Sequence, residues 1–162
     1  MIARPRAKTP LAPMQYAVAQ LARREYSRAE LRRRLLQRLR SDGAPGDAPA
    51  LVEKILDELQ AKGLLSDARF AAVLTRARAQ RFGVARIRRE MREHALPDEL
   101  VRPAVAELQA TEEQRARDLW SRRFGRAPVS AAERVRQLRF LAQRGFSTTV
   151  VLRVVGHATA DD

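Results

Sequence analysis

The chain has 162 residues, of which 31% are charged and 5% are aromatic. Its 32 Lys and Arg against 19 Asp and Glu give a net charge of +13, which favours a polyanionic partner, either nucleic acid or an acidic protein surface. The lack of cysteine excludes disulfides and thiolate metal sites, and no apolar run is long enough to span a membrane. Residues 1–12 are basic and Pro-containing without the apolar segment of a secretory signal, which predicts a short tail on a cytoplasmic protein.

Residues 13–65 carry the pattern of three amphipathic helices. The first is predicted from Pro13 to Arg24, and the second starts at a Ser-x-x-Glu capping box formed by Ser27 and Glu30. The third starts near Pro49, after a Gly- and Pro-rich loop at 41–50, and ends at Gly63. The predicted apolar faces are Met14, Val18 and Leu21; Leu31, Leu35 and Leu39; and Leu51, Ile55, Leu56 and Leu59.

The pattern occurs twice more. In residues 66–110 a fourth helix is capped by Ser66, ends near Gly83 and carries the apolar positions Phe70, Val73, Leu74 and Ala77. A fifth helix has a narrow seam of Val84, Ile87, Met91 and Ala95, and a sixth follows Pro97. In residues 111–156 the start signals of three further helices are Thr111 with Gln114, Ser130 with Glu133, and Ser147.

The second helices of these rounds can be superposed. Setting "AELRRRLLQRL" above "ARIRREMREHA" aligns Leu31 with Ile87 and Leu35 with Met91, and setting "FLAQRGFS" on "EMREHALP" aligns Leu141 with Met91. Such internal similarity predicts an all-α fold of three tandem three-helix modules, at 13–65, 66–110 and 111–156, with tails at 1–12 and 157–162. Because each module is too small to bury much apolar surface alone, we expect an elongated, curved array.

The charge alternates along the chain. Residues 21–40 hold eight arginines against two glutamates, residues 43–65 are acidic on balance, and residues 66–94 again hold eight arginines. A single arginine of this kind is more often a solvated residue with a local salt-bridge partner than a binding residue. The clusters together, however, predict a partner- or nucleic-acid-binding surface formed by Arg28, Arg32, Arg76, Arg78, Arg81, Arg86, Arg88, Arg89 and Arg92.

Catalytic constellations are hard to find. The two histidines, His94 and His157, are far apart and have no acidic or nucleophilic partner at a recognisable spacing. Phosphate-binding glycine loops, HExxH helices and EF-hand loops are lacking, and adjacent carboxylates such as Asp57 and Glu58 point in different directions on a helix. The sequence therefore predicts a binding protein without cofactor or metal rather than an enzyme.

The junction of the first two modules reads "LDELQAKGLLSDARFAAVLTRARAQRFGVARIRREMREHAL". Its order of Leu-x-x-x-Gly-Leu-Leu-x-Asp-x-Arg-Phe-Ala, an Arg-rich helix, Gly and Arg-Ile-x-x-Glu-Met resembles the RecX family of regulatory proteins. Two further elements, "YSRAELRRRLLQR" upstream and "RFLAQRGFSTTVV" near the C-terminus, extend the resemblance over roughly residues 16–155. The longer segment "RSDGAPGDAPA" departs from the short turn usual in the first module of that family.

The resemblance implies three three-helix modules, a cytoplasmic bacterial setting and a role as a modulator of the RecA recombinase. Members of the family are understood to lie in the groove of the RecA filament on DNA, where they inhibit ATP hydrolysis, strand exchange and the SOS response. The expected partner is the RecA filament, with no membrane, and the chain is expected to be a monomer. Whether it also contacts single- or double-stranded DNA directly is left open by the sequence. The alternatives are a sequence-nonspecific DNA-binding protein and, in a third class, an RNA-linked or ribosome-associated adaptor.

Overall fold

A computed structural model describes residues 12–43 and 46–157, and nine α-helices form within them. Most of the two predicted tails, together with residues 44 and 45 of the predicted loop, lies outside the described residues. The described part contains no β-strand. The helices are α1 Pro13–Leu21, α2 Arg28–Ser41, α3 Ala48–Ala61, α4 Asp67–Ala79, α5 Val84–Glu93, α6 Asp98–Ala110, α7 Glu112–Arg123, α8 Ala131–Gln143 and α9 Thr148–His157.

The chain divides into two compact units, residues 1–66 and residues 67–162. The first unit contains α1 to α3 around one apolar cluster, in which α2 and α3 supply most of the buried side chains. Leucines four residues apart on α2 face the same side of the helix, which is why the predicted stripe is buried against α3. The fully buried residues of this cluster include Ala17, Leu31, Leu35, Val52, Leu56 and Leu59.

The second unit contains α4 to α9 and has two apolar clusters. One is built by α4, α5 and α6 around Ile87 and Met91, and the other by α7, α8 and α9 around Leu141 and Val155. Five positions that the sequence repeat superposes are fully buried: Leu31, Leu35, Ile87, Met91 and Leu141. The fold is therefore all-α and built from repeated three-helix modules.

Several helix ends are those that the sequence predicts. The hydroxyl oxygen of Ser27 accepts from the backbone N–H of Glu30 at 3.1 Å, and Ser130 caps α8 in the same way through Glu133. Thr111 was expected to cap α7, and this prediction is wrong. Its hydroxyl donates backwards to the carbonyls of Glu107 and Leu108, because α6 and α7 follow each other with almost no break in the chain.

Other details of the helical pattern differ from expectation. The first helix ends at Leu21 rather than Arg24, and the fourth ends at Ala79 rather than near Gly83. Three valines and leucines placed on apolar faces are exposed instead: Val18, Leu51 and Val73. In a stripe with spacings of three and four, a residue at the margin can lie on either side of the buried sector, and neighbouring helices decide which.

Candidate anion-binding surface

Two of the predicted binding arginines lie in the first unit and pair with α3. Arg28 donates to Glu53 at 2.7 Å and to Asp57 at 2.8 Å, and it also contacts the side-chain carbonyl of Gln60. Arg32 donates from Nε to the other oxygen of Glu53 at 2.5 Å. Hydrogen bonds from Arg32 and Arg28 hold the pKa of Glu53 below its ordinary value. Both guanidinium groups are therefore occupied within the unit, and their role toward a partner stays a prediction.

In the second unit Arg78 is also engaged. Its Nε and Nη2 donate to the two carboxylate oxygens of Glu90 at 2.8–3.0 Å, in the fork geometry that guanidinium and carboxylate share. This hydrogen bonding lowers the pKa of Glu90, and the charges of Arg78 and Arg86 act in the same direction. The pair ties the end of α4 to α5, twelve residues apart along the chain.

The predicted arginines of α4 and α5 do not all share one surface. An open groove of about 470 Å³ is lined by Arg78, Arg81, Phe82, Arg86, Arg89, Glu90, Glu93 and His94. It brings together four of the predicted residues, of which Arg89 is 3.5 Å from its neighbour Glu93. Arg76 lines a different groove with α6, while Arg88 and Arg92 are exposed and do not line the groove around Phe82.

The α4–α5 turn that carries Phe82 packs directly on the α8–α9 turn. The backbone N–H of Gly83 donates to the carbonyl of Arg144 at 2.9 Å, and that of Ala85 donates to the carbonyl of Gly145 at 3.2 Å. A Cβ on Gly83 would lie 2.2 Å from the carbonyl oxygen of Gly145, so the two backbones can approach only because this residue has no side chain. The contact holds helices of the predicted second and third modules in one compact unit.

Helix α7 supplies two side chains that hold the same turn. Glu112, only 6% exposed, accepts from the backbone N–H of Val84 at 2.9 Å and so places a carboxylate at the N-terminus of α5. Arg115 donates from Nη1 to the carbonyls of Ala79 and Phe82 at 2.7 and 2.8 Å, at the C-terminus of α4. Burial lowers the pKa of Arg115, and the charge of Glu112 opposes that shift.

We call these two residues the α7 clamp: Glu112 and Arg115. An anionic group at a helix N-terminus and a cationic group at a C-terminus both complement the helix dipole. The clamp therefore stabilises the ends of two helices with one turn of a third. Little in the sequence pattern predicts the clamp. In the sequence, Glu112 looks like an ordinary acidic residue in the first turn of a helix, and the residue that it contacts, Val84, is 28 positions away.

Two further arginines lie near the contact between the α4–α5 turn and the α8–α9 turn, at the C-terminal ends of α7 and α8. Arg144 lies over the ring of Phe140 at 3.9 Å, and Arg123 lies 5.4 Å from the ring centroid of Phe124. Burial lowers the pKa of Arg144, and so do the charges of Arg81, Arg86 and Arg123. The sequence-based prediction missed both arginines because they lie in the third module, outside the two runs richest in arginine.

His94 forms no site with the other described residues. His94 ends α5 and packs its ring on Phe70, with ring centroids 4.6 Å apart. Across residues 12–43 and 46–157, no three His, Asp or Glu side chains are grouped so that they could hold a metal ion. None of the helices in that part of the chain is long and apolar enough to cross a membrane.

The architecture defines a class: an all-α protein of repeated three-helix modules that presents arginine-rich turns. Two family models match it, the second three-helix domain of RecX over residues 66–105 and the third over residues 111–155. The regulatory protein RecX of Leptothrix cholodnii is 49% identical over 86% of this chain and 84% of its own length. That of Ralstonia nicotianae is 43% identical over 94% of this chain and 92% of its own. The chain belongs to the RecX family.

Solved structures show the same fold. The crystal structure of RecX from Lactobacillus salivarius superposes with a TM-score of 0.69 at 16% identity, covering 91% of this chain and 95% of that one. A second crystal structure, of a regulatory protein RecX, gives 0.66 at 19% identity over 90% of this chain and 73% of that one. The relatives are named as regulatory proteins, which agrees with a non-enzymatic role.

Proposed function

We propose that this chain is a negative regulator of the RecA recombinase. It binds in the groove of the RecA–DNA filament and inhibits ATP hydrolysis, strand exchange and the SOS co-protease activity, and it acts as a cytoplasmic monomer. The observation that carries this proposal is the match to RecX proteins over most of the chain at 43–49% identity. Direct contact with single- or double-stranded DNA in the filament is part of the proposal.

The arrangement of charge suits such a partner. The second unit presents exposed guanidinium groups at Arg81, Arg86 and Arg123, and none of these pairs with a carboxylate among the described residues. A nucleoprotein filament offers both acidic protein surface and phosphate, and complementary charge speeds encounter with either. In the first unit Arg28 and Arg32 both pair internally with Glu53, so the turn around Phe82 in the second unit is the better candidate for the contact.

The test is the ATPase rate of RecA on single-stranded DNA while this protein is titrated in, with its affinity for that DNA measured separately. We expect inhibition at concentrations that leave most of the naked DNA unbound. The double variant Arg81→Gln with Arg86→Gln should weaken the inhibition. The control is Arg102→Gln with Arg134→Gln, which removes the same amount of charge from exposed positions of α6 and α8 and should leave the inhibition unchanged. Inhibition that begins only when the DNA is saturated would contradict the proposal.

A second candidate function is sequence-nonspecific DNA binding without RecA. The observation that favours it is the same set of unpaired guanidinium groups, because phosphate neutralisation is sufficient for binding without base readout. This function predicts that the concentration needed to inhibit RecA and the dissociation constant for DNA rise together as salt is added. Inhibition that persists at a salt concentration where DNA alone is no longer bound would exclude it.

A further inference from the structure

We infer a phosphate-binding site for single-stranded nucleic acid on the second unit, formed jointly by α4, α5, α7 and α8. Its members are four guanidinium groups around three phenylalanine rings, and we name them the four-arginine cluster: Arg81, Arg86, Arg123 and Arg144. The inference rests on the proposed function only in that the filament supplies the nucleic acid strand. Two of the four residues lie outside the arginine-rich runs of the sequence.

One half of the cluster is built on Phe82. The guanidinium carbon of Arg86 lies 3.9 Å from the ring centroid, and that of Arg81 lies 5.6 Å from it. A guanidinium stacked on a ring is held in orientation while its N–H edges stay available for a bidentate contact with an oxyanion. Neither side chain forms an ion pair among the described residues, and Glu90 is held by Arg78 instead.

The other half is built on two rings that touch each other. Phe124 and Phe140 meet edge to face with centroids 5.2 Å apart. Arg144 stacks on Phe140 at 3.9 Å, and Arg123 lies 5.4 Å from the centroid of Phe124. The contact between the rings therefore brings the two arginines to neighbouring positions, and neither forms an ion pair with a carboxylate among the residues that the structure describes.

The backbone joins the two halves. The hydrogen bond from Gly83 to the carbonyl of Arg144 and the contact of Gly145 with Arg86 place the two turns side by side. A Cβ on Gly145 would lie only 2.7 Å from the Cβ of Arg86, so a side chain at position 145 would not fit beside α5. Like charges gathered in this way repel, and the lowered pKa of Arg144 reflects its burial first and this repulsion second. A bound ligand with several closely spaced negative charges would offset the repulsion between these arginines.

A nucleic acid strand supplies such an anion. Every nucleotide of a strand carries a negatively charged phosphate, whereas an acidic protein surface carries carboxylates at only some of its positions. Aromatic rings interleaved with arginine are also typical of surfaces that bind single strands. The observations therefore favour phosphate over the carboxylates of an acidic protein.

The experiment uses the full chain and a fluorescently labelled oligothymidine, with affinity measured by anisotropy over a range of salt concentrations. The variant Arg123→Gln with Arg144→Gln should reduce the slope of log affinity against log salt by about 1.4, because each phosphate that is no longer neutralised lowers it by about 0.7. Between about 50 and 200 mM salt the variant should then lose about sevenfold less affinity than the wild type. Arg102→Gln with Arg134→Gln is the matched control and should keep the wild-type slope.

Further measurements separate the explanations. Arg123→Lys with Arg144→Lys retains the charge but loses the fork, so it should restore the slope while leaving the affinity reduced. Equal slopes in the cluster variant and the control would overturn the site. Loss of RecA inhibition with an unchanged slope would show that the cluster contacts protein carboxylates, which overturns the phosphate site but leaves the proposed function standing. A reduced slope with a wild type that does not inhibit RecA would support the site and refute the proposed function.

Discussion

Replacing Glu112 with Ala should destabilise the second compact unit by about 1–4 kcal/mol. The carboxylate accepts from the N–H of Val84 in a buried environment, and its removal leaves that donor unsatisfied. An unsatisfied buried donor costs about 1–3 kcal/mol. The missing interaction between a negative charge and the N-terminus of α5 adds about 0.3–1 kcal/mol, and up to about 2 kcal/mol in a partly buried site.

Trp120 provides the assay. It is the only tryptophan in the chain, is 9% exposed and donates from its indole N–H to the side-chain carbonyl of Gln137 at 2.8 Å. Because Trp120 lies on the same helix as Glu112, its fluorescence reports the unfolding of this unit. With a urea dependence of about 2 kcal/mol per M, in the middle of the usual range, the midpoint should fall by about 0.5–2 M.

The neighbouring residue is the control. Glu113 forms ion pairs with Arg117 at 3.0 Å and Arg153 at 3.3 Å on the surface, so Glu113→Ala should cost no more than about 1 kcal/mol. Glu112→Gln keeps an acceptor oxygen without the charge and should fall between wild type and Glu112→Ala. If Glu112→Ala shifts the midpoint no further than Glu113→Ala, the capping argument is refuted.

Three other substitutions test local features. Ala95 has a φ of +50°, where a side chain is strained, so Ala95→Gly should stabilise the unit by about 0.5–1 kcal/mol in the same urea assay. Gly83→Ala should cost about 1–3 kcal/mol or more by thermal unfolding, because its Cβ would overlap the carbonyl of Gly145. Arg78 lowers the pKa of Glu90 from 4.5, so the pair stabilises the folded state above that pH and the effect disappears as pH falls through the lower folded value. The stability difference between wild type and Glu90→Gln should be present near pH 7 and should shrink as the pH is lowered below 4.5.

Features determined by neighbouring residues could be predicted from the sequence. Ser27 and Ser130 cap their helices because the donor is three residues away and the pattern itself encodes the contact. The buried positions of the repeat follow from helical periodicity in the same way. Thr111 shows where such local rules fail. Its hydroxyl lies between the end of α6 and the start of α7, and it donates to the carbonyls of Glu107 and Leu108 in α6 instead of accepting from an N–H of α7.

Contacts between distant residues could not be predicted. The sequence shows a basic α2 followed by an acidic α3, but only the packing of the two helices reveals that Arg28 pairs with Glu53 and Asp57. The arginine count predicts a basic surface without telling which guanidinium groups are occupied internally. The approach of Gly83 to the carbonyl of Arg144 joins residues 61 positions apart, and no local signal marks it.

The α7 clamp has a practical consequence for dissecting this protein into fragments. A cut between Ala110 and Thr111, where the repeat would suggest a boundary, would take Glu112 and Arg115 away from the helix ends that they cap. A fragment ending at residue 110 would carry an exposed glycine turn and uncapped helix ends. In a fragment starting at residue 111, the carboxylate of Glu112 would lack its donor, the backbone N–H of Val84. A cut after Ser66 follows the boundary of the two compact units and leaves the clamp whole. The sequence repeat thus divides the chain into three modules, whereas the structure divides it into two compact units.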